Sequence, residues 1–430
     1  MTATADQARS FGGLSSLLSG VGLLGLGNGL LNTLIGVRAS IEGFDTLVTG
    51  LIVAGYYVGF IGGSQFAVKA VGRVGHIRIF AALASTASTA TLVYGLVVSP
   101  VAWLVVRLIS GFCMAGLYVA IESWLNSRAD NTNRGRVLSG YLAITMLAVA
   151  ASQLLLTVAP IEGLELFVLS SILVSMSLVP VVLTGAKAPP IIAPEPLSLV
   201  ELWQTIPTGI VVIFITGVSV GALRGIGAVY AAEIDMSPAA IGAFVASISL
   251  GASLLQTPVG RLSDTIPRRV VMLTAVTGAA ALSAVGALVD LETTALIILM
   301  FGIGGLAVPM YSLGIAYTND WLTDDQRVPA AALLILVNGA GSIVGPVLAG
   351  AVMSFASANG FFATLVATHT LTATYLVYRI MRRRAHRVSE QTRFLAMSSR
   401  GVALAVLRQL TPRKADGQDH NGDETPRPSR

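Results

Sequence analysis

Hydrophobic residues fall into runs of about 20 along the chain, separated by short stretches where glycine, proline and charged residues gather. A run of that length crosses about 30 Å of hydrocarbon as a helix rising about 1.5 Å per residue. The pattern predicts twelve spans, at 14–37, 44–66, 77–98, 101–124, 136–158, 164–184, 205–229, 238–260, 269–289, 293–316, 329–353 and 359–380. One sizeable polar stretch, with Lys187, Pro189, Pro190, Pro194, Glu195 and Pro196, divides them into two sets of six. The expected organisation is an N-terminal segment 1–13, a six-helix bundle 14–184, a linker 185–204, a second six-helix bundle 205–380 and a tail 381–430. Within the tail, 394–410 mixes apolar residues with Arg400 and Arg408 and fits a short surface helix. From Thr411 onward there is no apolar run, and disorder is expected.

Composition sharpens this picture. Hydrophobic residues make up 54% of the 430 and charged ones 11%, against about 25% charged in a soluble domain. A soluble protein is excluded, and membrane lipids are the expected surroundings. The first apolar run is too long for a cleavable leader and lacks a small-residue cleavage site, so it is expected to stay as the first span. A single cysteine, Cys113, excludes an intrachain disulfide, and four scattered histidines give no metal-ligand spacing. No metal or cofactor is expected. No Walker loop, dinucleotide fingerprint, metalloprotease pair or nucleophile elbow occurs in a suitable context, which argues against an enzyme and against ATP-driven transport by this chain alone.

The net charge of +5 reflects topology rather than nucleic-acid binding, because the basic residues sit in short loops and in the tail. Lys69, Arg73 and Arg78 follow the second span; Arg128, Arg134 and Arg136 the fourth; Lys187 the sixth; Arg261, Arg268 and Arg269 the eighth; Arg327 the tenth; Arg379, Arg382, Arg383, Arg384 and Arg387 the twelfth. The alternate loops hold Arg38 but are otherwise acidic or neutral, with Glu42, Asp45, Glu162, Glu165, Glu233, Asp235, Asp290 and Glu292. By the positive-inside rule both termini are cytoplasmic, in a multi-pass protein of a bacterial inner membrane.

Charged residues inside spans are costly and mark candidate chemistry. Arg107 in the fourth span and Arg224 in the seventh each have two readings: a guanidinium in a wet cavity, or one snorkelling to the outer surface. Arg224 sits in Gly217-x-x-x-Gly221-x-x-x-Gly225, which permits close helix contact on a neighbouring line of the helix. Glu122, near the inner end of span four, either locks a cytoplasmic gate by pairing with Arg128, Arg134 or Arg136, or carries a proton. Asn28 and Asn32 are one turn apart on a single face of span one. With Tyr56, Tyr57, Tyr118, Gln153, Gln256, Tyr311, Asn338 and His369 they supply polar groups inside apolar spans. Each has a bland reading as an interhelical hydrogen bond; collectively they point to a polar central cavity.

After span eight the chain reads Gly260-Arg-Leu-Ser-Asp264-Thr-Ile-Pro-Arg268-Arg269. This resembles the cytoplasmic signature of the major facilitator superfamily, Gly-x-x-x-Asp-Arg/Lys-x-Gly-Arg/Lys-Arg/Lys. The copy after span two departs from it: Val68 stands at the glycine position and Gly72 at the aspartate, although Arg73, Gly75 and His76 follow. Arg107-x-x-x-Gly111 resembles the superfamily's fourth-helix pattern, associated in proton-coupled members with proton transfer. Ile-Glu-Ser-Trp-Leu-Asn at 121–126, with Arg134-Gly-Arg136, is similar to a bacterial subgroup often called YcaD-like. Gly341-x-x-x-Gly345-Pro346-x-x-x-Gly350 is similar to a glycine-proline signature found on span five of drug/proton antiporters, but here it lies on span eleven.

The resemblance implies an all-α membrane protein with the twelve-helix major facilitator fold in two six-helix bundles. It implies a secondary transporter of a small organic solute, working by alternating access as a monomer. Proton coupling would involve Arg107 and Glu122. Asn28, Asn32, Arg224, Gln153, Gln256, Tyr311 and Asn338 would line the cavity. Arg73, Arg128, Arg134, Arg136, Asp264, Arg268 and Arg269 would form the cytoplasmic gate. The missing acid at Gly72 leaves open a transport-inactive sensor or scaffold with the same fold, and a proton-independent uniporter or exporter is a narrower alternative.

Overall fold

A computed structural model describes residues 2–128, 134–182, 197–323 and 325–382, with positions 391 and 394 in addition. The first half contains α1 (Thr2–Ile41), α2 (Thr46–Val74), α3 (His76–Leu96), α4 (Pro100–Arg128) and α5 (Arg134–Ser152), the last ending in a 3₁₀ turn at Gln153–Thr157. It closes with α6 (Glu165–Met176) and α7 (Leu178–Val182). The second half opens with the short α8 (Leu199–Thr205) and continues through α9 (Pro207–Glu233), α10 (Pro238–Thr265) and α11 (Arg268–Leu288). Then come α12 (Thr293–Ala307), α13 (Met310–Asn319), α14 (Arg327–Phe355) and α15 (Gly360–Arg382). Since α6 and α7 together make one crossing, as do α12 and α13, the described residues give twelve helical segments long and apolar enough to span a membrane.

Local chemistry explains the ends. Asp45 caps α2 by accepting from the Leu47 N–H, and Ser237 caps α10 ahead of Pro238, whose missing N–H costs nothing in a first turn. Three features depart from the sequence reading. The first helix runs back to Thr2, and the second continues past residue 66 to Val74, where Gly75 at φ 94° turns the chain. Residues expected to be linker instead form α8, closed by a reciprocal capping box between Ser198 and Glu201. The tenth span is broken between Ala307 and Met310, where Pro309 removes a backbone donor.

The same helix pairs recur in each half. The second crossing packs on the fourth (α2 with α4, α10 with α12), the first near the fifth (α1 with α5, α9 with α14), and the third on the sixth (α3 with α6, α11 with α15). Between halves, α2 packs on α14 and α5 on α10, which are equivalent contacts under exchange of the halves. This is a pseudo-twofold arrangement of two bundles.

Burial sorts the crossings by role. In their most apolar windows α1, α4, α9 and the α12–α13 crossing are 78, 72, 83 and 67% buried, whereas the other eight range from 33 to 50%. The first four are the central helices. Outer crossings present large apolar side chains such as Leu154, Leu288 and Phe355, each more than two-thirds exposed. Such a surface suits hydrocarbon rather than water.

Candidate functional site

A cavity lies between the two halves, enclosing about 1290 Å³ including its open mouth. Its wall takes Asn32 from α1, Tyr56 from α2, Arg107 from α4, Arg224 from α9, Ser249 from α10 and Asn338 from α14. It continues along α5, α10 and the α12–α13 crossing, past Gln256 and Tyr311.

Arg107 is placed by glycines. Side chains at Gly59, Gly63 or Gly111 would collide with the facing backbone of the α2–α4 pair, so the two helices touch main chain to main chain. That approach sets the Tyr56 ring over the guanidinium, 5.1 Å from centroid to Arg107 Cζ. Nη1 of Arg107 donates to Asn32 Oδ1 at 2.9 Å, and Asn32 is held in turn by donating to the Asn28 carbonyl at 2.7 Å. Arg107 is only 2% exposed, and its Nε has no hydrogen-bond partner among the described residues. Asn28 itself is buried behind Asn32.

On the other half, Gly217 and Gly221 face the α14 backbone at Asn338 and Ser342, while Gly225 faces Val53 and Pro346. With the glycines turned to these neighbours, Arg224 lies in the cavity wall. Asn338 donates to the Ile213 carbonyl at 3.2 Å, and Gln256 to Ser312 Oγ at 3.2 Å. Gln153 accepts from Thr33 at 2.8 Å, joining α1 to the end of α5. The buried Tyr311 hydroxyl has no hydrogen-bond partner among the described residues. His369 lies outside the cavity wall, its ring nitrogens 2.7 Å from Ser219 Oγ and 3.3 Å from Ser283 Oγ.

One end of the cavity is sealed by direct contacts between the halves. Ser40 donates to Glu233 at 2.8 Å, Ser354 to Asp45 at 2.7 Å, and Thr46 to the Gly350 carbonyl at 2.9 Å. Beneath them a side chain at Gly50 would strike the Pro346 carbonyl. Asp45 lies outside the spans, and the Ser354 hydroxyl above all holds its carboxyl below the ordinary carboxylate range.

At the other end the sequence-named charges separate into distinct groups. Glu122 is 2% exposed and accepts from the Tyr141 hydroxyl at 3.0 Å. The side chains of Arg128, Arg134 and Arg136 lie outside the described residues. Arg73 is exposed at the end of α2. Arg268 is buried and donates to Asp320 at 2.7 Å, with Asp264 farther off at 3.8 Å. Arg269 donates to the Tyr317 hydroxyl at 3.0 Å from Nε. Both arginines therefore tie α11 to α13 within one half. Asp264 accepts from the Phe394 N–H at 2.8 Å, and the Phe394 ring occupies the space over Gly260.

Comparison with known proteins agrees with this architecture. Residues 209–414 match the model of the Major Facilitator Superfamily. The uncharacterized MFS-type transporter YcaD of Escherichia fergusonii is 25% identical over 348 residues, covering 80% of this chain and 90% of that protein. A YcaD from Escherichia coli is 26% identical over 349 residues with the same coverage. Among solved structures, the nucleoside transporter NupG superposes with TM-score 0.66 at 13% identity, covering 87% of this chain and 98% of that one. A bacterial homolog of the human lysosomal transporter Spinster, inward-facing and occupied, gives 0.71 at 12%, covering 88% and 97%. The second half of the chain is thus similar to the major facilitator superfamily, and most of its length to these relatives.

Fold and likeness point to a membrane transporter rather than an enzyme, and the residues that matter in a transporter line a path. Several were invisible to sequence reading. Thr33 and Ser249 lack any charge or spacing signal, and Asp320, the buried partner of Arg268, lies 52 residues from it along the chain.

Proposed function

We propose that the chain is a proton-coupled secondary transporter moving a small organic solute across a bacterial inner membrane as a monomer, in the YcaD-like subgroup of the superfamily. Residues 14–184 and 205–380 are its two moving halves, and both termini are cytoplasmic. On this topology the sealed end faces outward, and the conformation is inward-facing. Alternating access requires the seal to part while the opposite end closes, so that the cavity opens to one side at a time.

The observation that carries the reading is the cavity between two equivalent bundles, walled by Arg107 from one half and Arg224 from the other and shut at one end by side-chain contacts. Arg107 and Glu122 are the coupling candidates. Asn32, Arg224, Gln153, Gln256, Tyr311 and Asn338 contact the solute, with Asn28 supporting Asn32. Arg73, Arg128, Arg134, Arg136, Asp264, Arg268 and Arg269 shape the cytoplasmic end. The decisive experiment is an untargeted comparison of solutes taken up or released by proteoliposomes holding the intact protein or Arg107→Ala, with and without a pH gradient. A solute moved by the intact protein, stimulated by the gradient and lost in the variant, is expected. Movement unaffected by the gradient would remove the proton coupling, and identical profiles would remove the role of Arg107.

A further inference from the structure

We infer that Phe394, beyond the end of α15, is a wedge in the cytoplasmic mouth. Docked on the inner end of α10, it keeps that end from closing against α5; this rests on the topology and alternation proposed above. Two contacts hold it. The Phe394 N–H donates to Asp264 Oδ1 at 2.8 Å, a charge-assisted bond, and the Phe394 ring fills the space over Gly260 so closely that a methyl group at that glycine would overlap it. The ring also packs against the apolar cluster to which α9, α11, α13 and α14 of the second half contribute. Gln391 and Phe394 are each partly buried, and Gly260 is buried although Thr257 and Arg261 near it are exposed.

The face of α10 that Phe394 covers decides the consequence. Ser249, Ser253 and Gln256 line the cavity, and Gly260 follows them at the same three- and four-residue spacing, with Asp264 a turn beyond. The ring therefore sits on the cytoplasmic continuation of the cavity-facing stripe. On the other half, α5 runs antiparallel to that stripe. Near the sealed end a side chain at Gly242 would strike the Gln153 carbonyl, and farther in Leu142 and Met146 of α5 share the cavity wall with Ser253 and Gln256. The same line continued inward brings the first turn of α5 opposite Gly260. A glycine lets a facing helix approach closely, and here its open side is taken by the Phe394 ring. Alternating access needs the two inner ends to meet, so the docked ring favours the inward-facing state and its release favours the outward-facing one.

Docking and its consequence are read separately, in the full chain carrying Cys113→Ala and held in proteoliposomes of known orientation. Gly260→Cys and Phe394→Cys together should be bridged by a short bis-methanethiosulfonate, detected as linked peptides by mass spectrometry. For the consequence, Ser249→Cys in the cavity wall is labelled from the outer face by a membrane-impermeant thiol reagent. Phe394→Ala, and a chain ending at Glu390, should each label at least about fivefold faster than the intact chain, the lower end of a conformational coupling. A synthetic peptide of residues 388–399, sealed inside the vesicles, should return the shortened chain to the intact rate, and the same peptide with Phe394→Ala should not. Failure of the bridge to form, or outer-face labelling unchanged in both variants, would overturn the inference. The two readings fail differently. A reporter labelled from both faces at rates indifferent to Phe394 removes the wedge and leaves alternation standing, whereas one labelled from a single face in every variant removes alternation, and the wedge with it.

Discussion

Arg107 of α4 donates to the side-chain oxygen of Asn32 on α1 at 2.9 Å, so the central cation of the first half is fixed by a neutral acceptor on a neighbouring helix. A charged hydrogen bond contributes about 1.5 to 3 kcal/mol. Arg107→Lys keeps the charge but loses the planar fork, and is expected to lower transport roughly tenfold, with Arg107→Ala falling further. Asn32→Ala frees the guanidinium and should also reduce transport while leaving the amount of folded protein nearly unchanged. Solute flux normalised to protein in the membrane checks all three.

The contact of Ser354 with Asp45 closes the outer end, and its pH response follows from the carboxyl. Its affinity for protons is lowered from the ordinary 3.8, chiefly by the Ser354 hydroxyl. The contact is therefore at full strength above about pH 4 and is lost only as pH falls through the lowered value. Between pH 5 and 8 the outer seal should not titrate. Accessibility of an engineered outer-face cysteine, measured across that range in Glu122→Gln to remove the other candidate, should be flat; a step near neutral pH would contradict this.

Glu122 is buried and accepts from Tyr141. Replacing it by glutamine preserves that acceptor and removes only the charge. The variant should change the balance of inward- and outward-facing states by about 1 to 3 kcal/mol, the scale of a conformational coupling, and should blunt the pH dependence of transport. Cysteine probes placed on both sides of the bilayer would register the shift; unchanged accessibility would leave Glu122 without a gating role.

Arg268 and Asp320 form an ion pair whose side chains are 1% and 2% exposed. Removing one partner of such a pair strands a buried charge at a cost of about 3 to 5 kcal/mol. Asp320→Ala is expected to lower thermal stability and abundance strongly, whereas Asp264→Ala, losing only a 3.8 Å approach and the Phe394 N–H, should be much milder. Unfolding of the two variants in detergent, followed by thermal scanning, distinguishes them.

The crossings were legible because hydrocarbon thickness fixes the length of an apolar run, and Arg107 and Arg224 stood out because charge is rare inside spans. Contacts made by folding were not legible. Nothing local links Asp45 to Ser354, 309 residues away, or Arg268 to Asp320. Nor does residue type separate Val53 in the cavity wall from Val101, which is 71% exposed on the outside. Arg268 and Arg269 looked like loop cations because the charge pattern alone cannot tell a solvated arginine from one tucked under its own helix; the structure buries both. Pro309 is the one local sign that the tenth span breaks, and the unbroken apolar run around it hides that sign.

Alternating access itself is tested most directly by the reach of the cavity from each side. With Cys113→Ala and Ser249→Cys, a membrane-impermeant thiol reagent is added to vesicles of either orientation, before and after a short dithiol bridge is closed between Asp45→Cys and Ser354→Cys. The account predicts labelling from both faces at first. The bridge should then abolish labelling from the outer face and spare the inner, and cleaving it should restore both. Labelling from a single face at the outset, or outer labelling undiminished by the closed bridge, would contradict the account.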